Sequence, residues 1–499
     1  MKANHLTNKL FGFPYLLAAA FFLLFSMLGS RELWTQEHRW ADVVSYMFYA
    51  HDFLHPMLNG NEYYDKPLLS YWMVAGLAVL THHLTAWTIR LPSAIAGLIS
   101  VYSLYKIGVC LKDQKLGLFA GWLFLTTFYF IFWSRVGSTD ILNVAGILLS
   151  LAWYFSKKEQ ASFFVYFIFG LIVGVSALFK GLVAPAVILL AILPDLFLQK
   201  TVKTHLLNWR LYLGLLPGLF IYLLPFFASD IFGNPVYHSH GLDLVYRENI
   251  TRYFHPFDHE EPRYIYFIYL PLFLLPWTPF FLAALFSRIY LKNTLSLPTK
   301  WLLWTLGLLF LFFTCCGSRR GYYVLPLIPF AILLIADWCL EKEKPRYFLS
   351  KMILMVYIIC ILFFGVLQPG YYAKGGVRTF SIVLKKQADK IKPWSFWQFS
   401  LLDAETKMSF YLALPPDVKN YGIVGLREAQ TLASLQKKWP SLLLLPKNTI
   451  FITRRLYEPI LNDFLKNYTL VEAEPTYIEW ITHKKNPDAP IAYIPNKFD

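Results

Sequence analysis

Long apolar runs recur along the chain, separated by short polar breaks. The first covers about Pro14–Ser30. Later ones lie near Ile89–Lys106, Leu116–Trp133, Ile141–Phe155, Phe163–Leu178 and Leu182–Leu198, then near Leu211–Phe227, Tyr264–Leu285, Trp301–Cys316, Tyr322–Trp338 and Met352–Leu367. Most are about as long as a helix needs to cross a bilayer. Leu68–Leu84 is also apolar, but short, and ends in His82 and His83. Counting sides along the chain works best if this segment does not span, or if a second short span lies near it. The pattern predicts a multispanning α-helical membrane protein with 11–13 spans.

Charge then orients the spans. Lys106, Lys112 and Lys115 form one group between spans, and Lys157 and Lys158 another. Lys200, Lys203 and Arg210 follow, then Arg288, Lys292 and Lys300, then Lys342, Lys344, Arg346 and Lys351. Such groups hold loops inside. The connections Arg31–Pro67, Ser134–Asp140, Ser229–Arg263 and Ser318–Gly321 then lie outside. Met1–Leu10 is basic and leads into the first apolar run without a clear small-residue cleavage site, which predicts a retained first helix.

The character changes near Pro369. Short apolar runs such as SLLLLP (441–446) and NTIFITR (448–454) alternate with a helical piece, REAQTLASLQKKW (427–439). A small extracytoplasmic α/β domain over 369–499 is expected, following a membrane domain over 1–368. Pro369–Gly370 and Gly375–Gly376 mark the boundary.

Composition agrees. The chain has 499 residues, 57% hydrophobic and only 15% charged, against about 25% charged in a soluble domain. The net charge of +15 is explained by the span-flanking lysines and arginines, and nucleic acid is not an expected partner. None of the five cysteines has metal-ligand spacing with histidine, and the C-terminal region has no cysteine for a disulfide framework. No GxGxxG or GxxxxGK[ST] motif argues for a nucleotide.

The outer connections carry the candidate chemistry. Residues 31–67 are too polar to span and rich in tryptophan and tyrosine, as befits a membrane-surface loop. Gln36-Glu37-His38-Arg39-Trp40 stands just past the first span; it reads as an interfacial anchor with a local salt bridge or as a site of acid–base chemistry. Tyr64-Asp65-Lys66-Pro67 is a headgroup-level turn or a phosphate-binding acid–base pair. Asp140, after Ser138 and Thr139, either belongs to a helix cap or is an ionisable group kept at a membrane boundary for function. The loop 229–263 holds Arg247-Glu248-Asn249, Arg252, His255 and Asp258-His259-Glu260-Glu261. That last cluster is either a divalent metal site, zinc or manganese by its donors, or a solvated charged loop. Arg319 and Arg320, followed by Tyr322, lie outside against the positive-inside tendency, and arginine forks suit phosphate. Together these groups fit a lipid phosphate carrying a transferable group. Its tail would lie among the spans and its head would meet Lys66, Arg247 and Arg319 or Arg320.

RELWTQEHRWA (31–41), HPMLNG (55–60), YYDKPLLSYW (63–72), RLPSAIAG (90–97), RVGSTD (135–140), KGLVA (180–184), Arg247-Glu248-Asn249 with Arg252-Tyr253, and SRRGYYVLPL (318–327) occur in family order. They resemble the bacterial protein-mannosyltransferase and aminoarabinose-transferase family over roughly residues 10–340. The resemblance implies the C-type glycosyltransferase fold in a bacterial cytoplasmic (inner) membrane, with its active site and C-terminal domain on the periplasmic side. It implies transfer of a sugar from a polyprenyl (undecaprenyl) phosphate to an envelope glycolipid such as lipid A, another glycan, or a protein. It places the first-loop acid at the reaction centre. Gln36 stands where the family's aspartate is expected, so either Glu37 takes over as base, which is the favoured reading, or the acceptor differs, or activity is reduced. Lys66 meets the lipid phosphate, Asp65 helps hold a metal with His259, and Asp140 is a second acid.

The expected mechanism is direct displacement at the anomeric carbon. Glu37, with Asp140, takes the acceptor proton. Lys66, Arg247 and an arginine of the 319–320 pair stabilise the leaving phosphate. A lipid-phosphate flippase would also gather arginines and acids among spans, but usually near the midplane and often with internal repeats; none is visible. A non-catalytic lipid-binding homologue is the other alternative, kept open by Gln36.

Overall fold

A computed structural model describes residues 12–58, 61–234, 237–256, 260–290, 295–404, 407–415, 418, 420–421 and 446–496. The expected helix at 427–439, most of SLLLLP, and Asp258 and His259 lie outside the described residues. The chain divides into two compact units. One comprises Met1–Leu28, Phe53–Pro56 and Glu62–Gly365; the other comprises Gly29–Asp52, Met57–Asn61 and Val366–Asp499.

The first unit is a helical bundle. Among the described residues of the chain, seven helices are long and apolar enough to cross a membrane: Ala86–Leu111, Thr139–Lys157, Phe163–Lys180, Trp209–Ile231, Leu297–Cys315, Gly321–Leu340 and Lys344–Ile391. Two bent pairs pass the same test, Gln114–Leu125 with Phe128–Ser134 and Ile265–Phe273 with Thr278–Tyr290. Taking each bent pair as one span gives up to nine among the described residues, and Phe13–Phe25, Leu69–Thr81 and Val183–Leu198 are further, shorter apolar helices. The protein is a multi-pass membrane protein.

Its helices are held together by close backbone approach and by capping. Phe163–Lys180 and Trp209–Ile231 carry Gly170 and Gly174 opposite Gly214 and Gly218. A Cβ on Gly170 would stand 2.5 Å from the Gly214 carbonyl oxygen. This is the small-xxx-small packing that lets helices approach in lipid, where burial away from water drives nothing. Two buried arginines take carbonyls at and just beyond the end of the first helix, Phe13–Phe25. Arg90 donates to Leu28 O at 2.9 Å. Arg135 donates to Leu23 O and to Ser26 O, the latter at 2.7 Å.

The end carrying the span-flanking lysines holds two buried acids. Asp195 accepts from Lys158 at 2.9 Å and from Tyr154 Oη at 2.8 Å. Asp337 accepts from Lys112 at 2.9 Å, Arg288 at 3.1 Å and Thr299 Oγ1 at 2.8 Å. Arg288 also meets Glu341 at 2.8 Å.

The second unit is α/β, in line with the alternating pattern after Pro369. Its mixed sheet runs in the order Asn420–Tyr421, Gln398–Leu402, Thr449–Arg454, Pro490–Pro495, Tyr468–Glu472. The first three strands are parallel; Pro490–Pro495 is antiparallel to both its neighbours. Strand alternation sends Ile450 and Ile452 to one face, where Phe380 and Leu384 of the Gly376–Ile391 helix pack, and Phe451 to the other, with Tyr457 and Leu461. The division is not the linear one expected at 368/369, because residues 29–52 pack with the C-terminal part. Glu32 explains this. Its carboxylate accepts the Arg378 backbone N–H at 3.0 Å in the first turn of Gly376–Ile391 and pairs with Lys407 at 2.7 Å. A negative charge at a helix N-terminus is stabilising.

Candidate active site

Five segments of the membrane unit come together at the end of the bundle opposite Asp195 and Asp337. Ser138 caps the Thr139–Lys157 helix: its hydroxyl accepts the Asp140 N–H at 3.1 Å and donates to Asp140 Oδ2 at 2.8 Å. The other carboxylate oxygen receives Lys180 Nζ. Lys180 closes the Phe163–Lys180 helix, and its ammonium lies 4.5 Å from the Tyr323 ring centroid and 5.4 Å from that of Tyr322. Such faces favour a cation.

The chain reverses directly after Lys180, and Gly181 makes this possible with φ +84°. Asn249 holds the turn, accepting the Leu182 N–H at 2.6 Å and donating to Val245 O at 2.8 Å. Asn249 sits in a π-helical turn, Arg247–Thr251, a distortion frequent at functional sites. That turn displays Arg247, Glu248 and, next to it, Arg252.

The Asp65-Lys66-Pro67 loop completes the cluster. Lys66 Nζ lies 3.0 Å from Asp65 Oδ1 and 3.6 Å from Glu248 Oε2. Arg252 pairs with Glu248, lies 4.0 Å from Asp65, and reaches Ser318 Oγ at 3.5 Å. Arg247 donates to Tyr64 O at 3.0 Å and lies 3.3 Å from Glu248. Burial pushes the Asp65 carboxyl up, but the Lys66 ammonium and Arg252 guanidinium outweigh it and hold it below the usual carboxylate range. The Asn249–Leu182 hydrogen bond ties the turn after Lys180 to the one that carries Glu248 and Arg252. Among the described residues, four cations, Lys66, Lys180, Arg247 and Arg252, therefore gather with three carboxylates, Asp65, Asp140 and Glu248.

Arg320 stands at the rim and donates to Tyr322 Oη at 3.0 Å. Arg319 is turned to carbonyls, those of Glu261 (2.5 Å) and Cys316. Among the described residues no carboxylate lies within salt-bridge distance of either. Tyr64 is buried against Phe226 and Tyr237.

Gln36, Glu37 and Arg39 belong to the other unit, on the helix Thr35–Ala50. Glu37 is buried. Its carboxylate accepts the Trp34 N–H at 2.7 Å, closing the cap of that helix, and meets Arg31 at 3.2 Å. Its neighbours on the helix carry displaced titrations. Burial, with the Arg39 and Lys407 charges, lowers His38 to about 4, and burial raises Asp42 to about 7.

For the expected metal, the described residues contain no group of three or more His, Cys, Asp or Glu side chains. Asp65 faces Lys66, Arg252 and the Tyr63 hydroxyl, so its carboxylate is already compensated, and His259 lies outside the described residues. The described residues do not make a metal site.

Three members of the cluster carry no assigned role in the sequence: Lys180 falls within KGLVA, and Glu248 and Arg252 are loop charges within the 247–253 family match. The signal for Lys180 was present: alternation of sides puts the 179–182 turn with the other outer connections, where a lysine is as unexpected as Arg319.

The fold matches a solved glycosyltransferase. The chain superposes on the crystal structure of ArnT from Cupriavidus metallidurans bound to undecaprenyl phosphate with a TM-score of 0.70 at 16% identity, covering 96% of this chain and 97% of that one. This is the C-type glycosyltransferase fold in a multi-pass membrane protein. The family model for dolichyl-phosphate-mannose-protein mannosyltransferase matches residues 65–227. Two relatives are named undecaprenyl phosphate-alpha-4-amino-4-deoxy-L-arabinose arabinosyl transferase. That of Proteus mirabilis is 24% identical over 92% of this chain and 81% of its own length. That of Shewanella sediminis is 26% identical over 63% of this chain, and the match spans only 58% of its own length. The resemblance to the mannosyltransferase and aminoarabinose-transferase family holds by sequence and by fold.

Proposed function

We propose that this protein is a polyprenyl-phosphate-dependent glycosyltransferase that moves a sugar from an undecaprenyl-phosphate-type donor to an acceptor at the outer face of a bacterial cytoplasmic membrane. The observation that carries the reading is the cation-rich cluster at one end of an apolar bundle. Among the described residues, Lys66, Lys180, Arg247 and Arg252 gather around Asp65, Asp140 and Glu248, a concentration of cations that suits an anionic headgroup. The names of the relatives and of the matched structure supply the donor class.

The acceptor oxygen bonds to the anomeric carbon as the bond from that carbon to the phosphate oxygen breaks. The departing polyprenyl phosphate carries the electron pair, and Lys66 and Arg252 stabilise the charge that develops there. Arg247 and Arg320 extend the positive rim. The acceptor proton passes to a carboxylate. Asp140 within the cluster is one assignment; Glu37, which the family resemblance implies, is the other. Lipid A is the favoured acceptor through the aminoarabinose-transferase relatives, with another envelope glycan or protein hydroxyls as alternatives. The lysine-rich end faces the cytoplasm and the cluster the periplasm, following the positive-inside tendency.

The test is transfer from a radiolabelled polyprenyl-phosphate sugar in proteoliposomes. Wild-type protein should release free polyprenyl phosphate in step with product. Lys66→Ala should lower transfer by about 100-fold or more while the protein stays folded in the membrane; undiminished transfer removes its assigned role. Loss in Asp140→Asn but not Glu37→Gln assigns the base to Asp140, and the converse to Glu37. A folded protein that transfers none of several sugars would favour the flippase or lipid-binding alternative. A zinc or manganese requirement at Asp65 and His259 would show as loss of transfer in EDTA and recovery with the ion.

A further inference from the structure

The C-terminal unit carries one helix that is inside out. In Tyr477–Thr482 the buried side chain is the acid, Glu479. It meets Arg455 at 2.9 Å and accepts the backbone N–H groups of Thr476 and Asn486, each at 2.8 Å. The apolar side chains face out: Ile478 is 57% exposed, Trp480 70% and Ile481 68%, with Tyr477 beside them at 37%. A helix of a soluble domain presents the opposite arrangement. His483, Lys484 and Lys485 follow at once, all exposed.

The position of this helix along the chain says what covers it. Its cap residue, Thr476, packs on Gly375, where a Cβ would come within 2.7 Å of the Thr476 methyl carbon, and Lys374 Nζ lies 5.4 Å from the Tyr477 ring. Lys374 is only seven residues beyond Leu367, which with Val366 is an exposed apolar residue at the end of the last membrane-crossing run. At 1.5 Å per helical residue that is roughly 10 Å, about the depth of the headgroup layer beyond the hydrocarbon. Tryptophan and tyrosine favour that layer, and lysines beside them are attracted to anionic lipid.

We infer that Tyr477–Thr482 is an interfacial anchor: Ile478, Trp480 and Ile481 enter the outer leaflet at headgroup depth, and Lys374 and Lys484 meet anionic lipid headgroups, while Lys485 pairs with Glu472 at 3.5 Å. The anchor ties the C-terminal unit to the bilayer at a second point besides its covalent tether. It rests on the membrane-spanning character of the chain and not on the transfer reaction.

The full-length protein tests this, with its five cysteines replaced and an environment-sensitive NBD label on Ile481→Cys, or on Lys466→Cys as a solvent-facing control. Both are reconstituted in phosphatidylethanolamine–phosphatidylglycerol vesicles. The label at 481 should emit at shorter wavelength than the control and be quenched by lipid spin-labelled near the headgroup. It should also resist aqueous iodide several-fold better. Adding Ile478→Glu and Trp480→Glu, both on the outward face, should return the 481 label to the behaviour of the control with the thermal midpoint unchanged. Iodide quenching at 481 equal to the control overturns the anchor. So does protection from iodide without lipid quenching, which would mean a protein partner, and so does lipid quenching that survives the two glutamates.

Discussion

The two ends of the helical bundle are built from the same residue types and solve opposite problems. At one end Asp195, Asp337 and Glu341 meet Lys158, Lys112 and Arg288, one cation for each acid. Hydroxyls of Tyr154 and Thr299 take further lone pairs. Buried ions that are fully compensated and hydrogen-bonded stay in place and have little attraction left for a ligand. At the other end four cations share Asp65, Asp140 and Glu248, and Arg320 meets a tyrosine hydroxyl. Among the described residues, these cations sit on a loop, a helix end and a distorted helical turn. An ion pair by itself does not mark a site; a concentration of cations in a partly enclosed place does.

The largest effect should separate the ends by activity. Arg252→Ala is expected to lower kcat/KM for a polyprenyl-phosphate sugar by about 10²–10³-fold. Lys112→Ala at the balanced end should change it by less than about threefold per folded molecule. Equal losses at both ends would break the comparison. Stability should separate them the other way. Asp337→Ala leaves two cations short of their buried carboxylate and should cost about 3 kcal/mol in detergent unfolding, with transfer by the folded fraction retained.

A third measurement reads ligand binding without turnover. Polyprenyl phosphate at about 100 times its Kd should stabilise wild type by about 2.7 kcal/mol. Asp337→Asn should keep that gain and Lys66→Ala should lose it. The smallest effect is a pH dependence at Asp65, whose carboxyl is held below its ordinary value by Lys66 and Arg252 against the effect of burial. A depressed folded-state pKa gives stability that is complete above the unfolded value and lost as pH falls through the folded one. Wild type should therefore lose stability relative to Asp65→Asn as pH falls from the ordinary carboxylate range through the depressed value, and the gap between the two should close once Asp65 is protonated in both states.

Much of the architecture was legible because a bilayer leaves few choices. Apolar runs near 163–178, 211–227 and 301–316 became the helices Phe163–Lys180, Trp209–Ile231 and Leu297–Cys315, since backbone polar groups in lipid must be satisfied within the segment. The first loop was less legible. Its aromatic residues and charges marked a membrane-surface stretch, but Thr35–Ala50 folds as a helix whose Val43, Val44 and Met47 are buried. The Glu37 carboxylate, which by its charge could also serve acid–base chemistry, caps it through the Trp34 N–H. Lys66, Asp140 and Arg247 were picked out singly as charges at outer ends. Lys180 and Arg252 were not, because a lysine closing a span and an arginine in a long loop look ordinary until their neighbours are known.

The sequence by itself determined the membrane class, the order of the helices, the α/β character after Pro369 and the side on which polar residues gather. These follow from local hydrophobicity and charge, which a linear chain displays directly. Only the tertiary structure decided which charges share a site. Asp140 and Lys180 are forty residues apart, and Asp65 and Arg252 lie further apart still. Contact over such separations depends on how helices pack, through Gly170 and Gly174 and the turn at Gly181, and packing is a property of pairs of segments that no single segment carries.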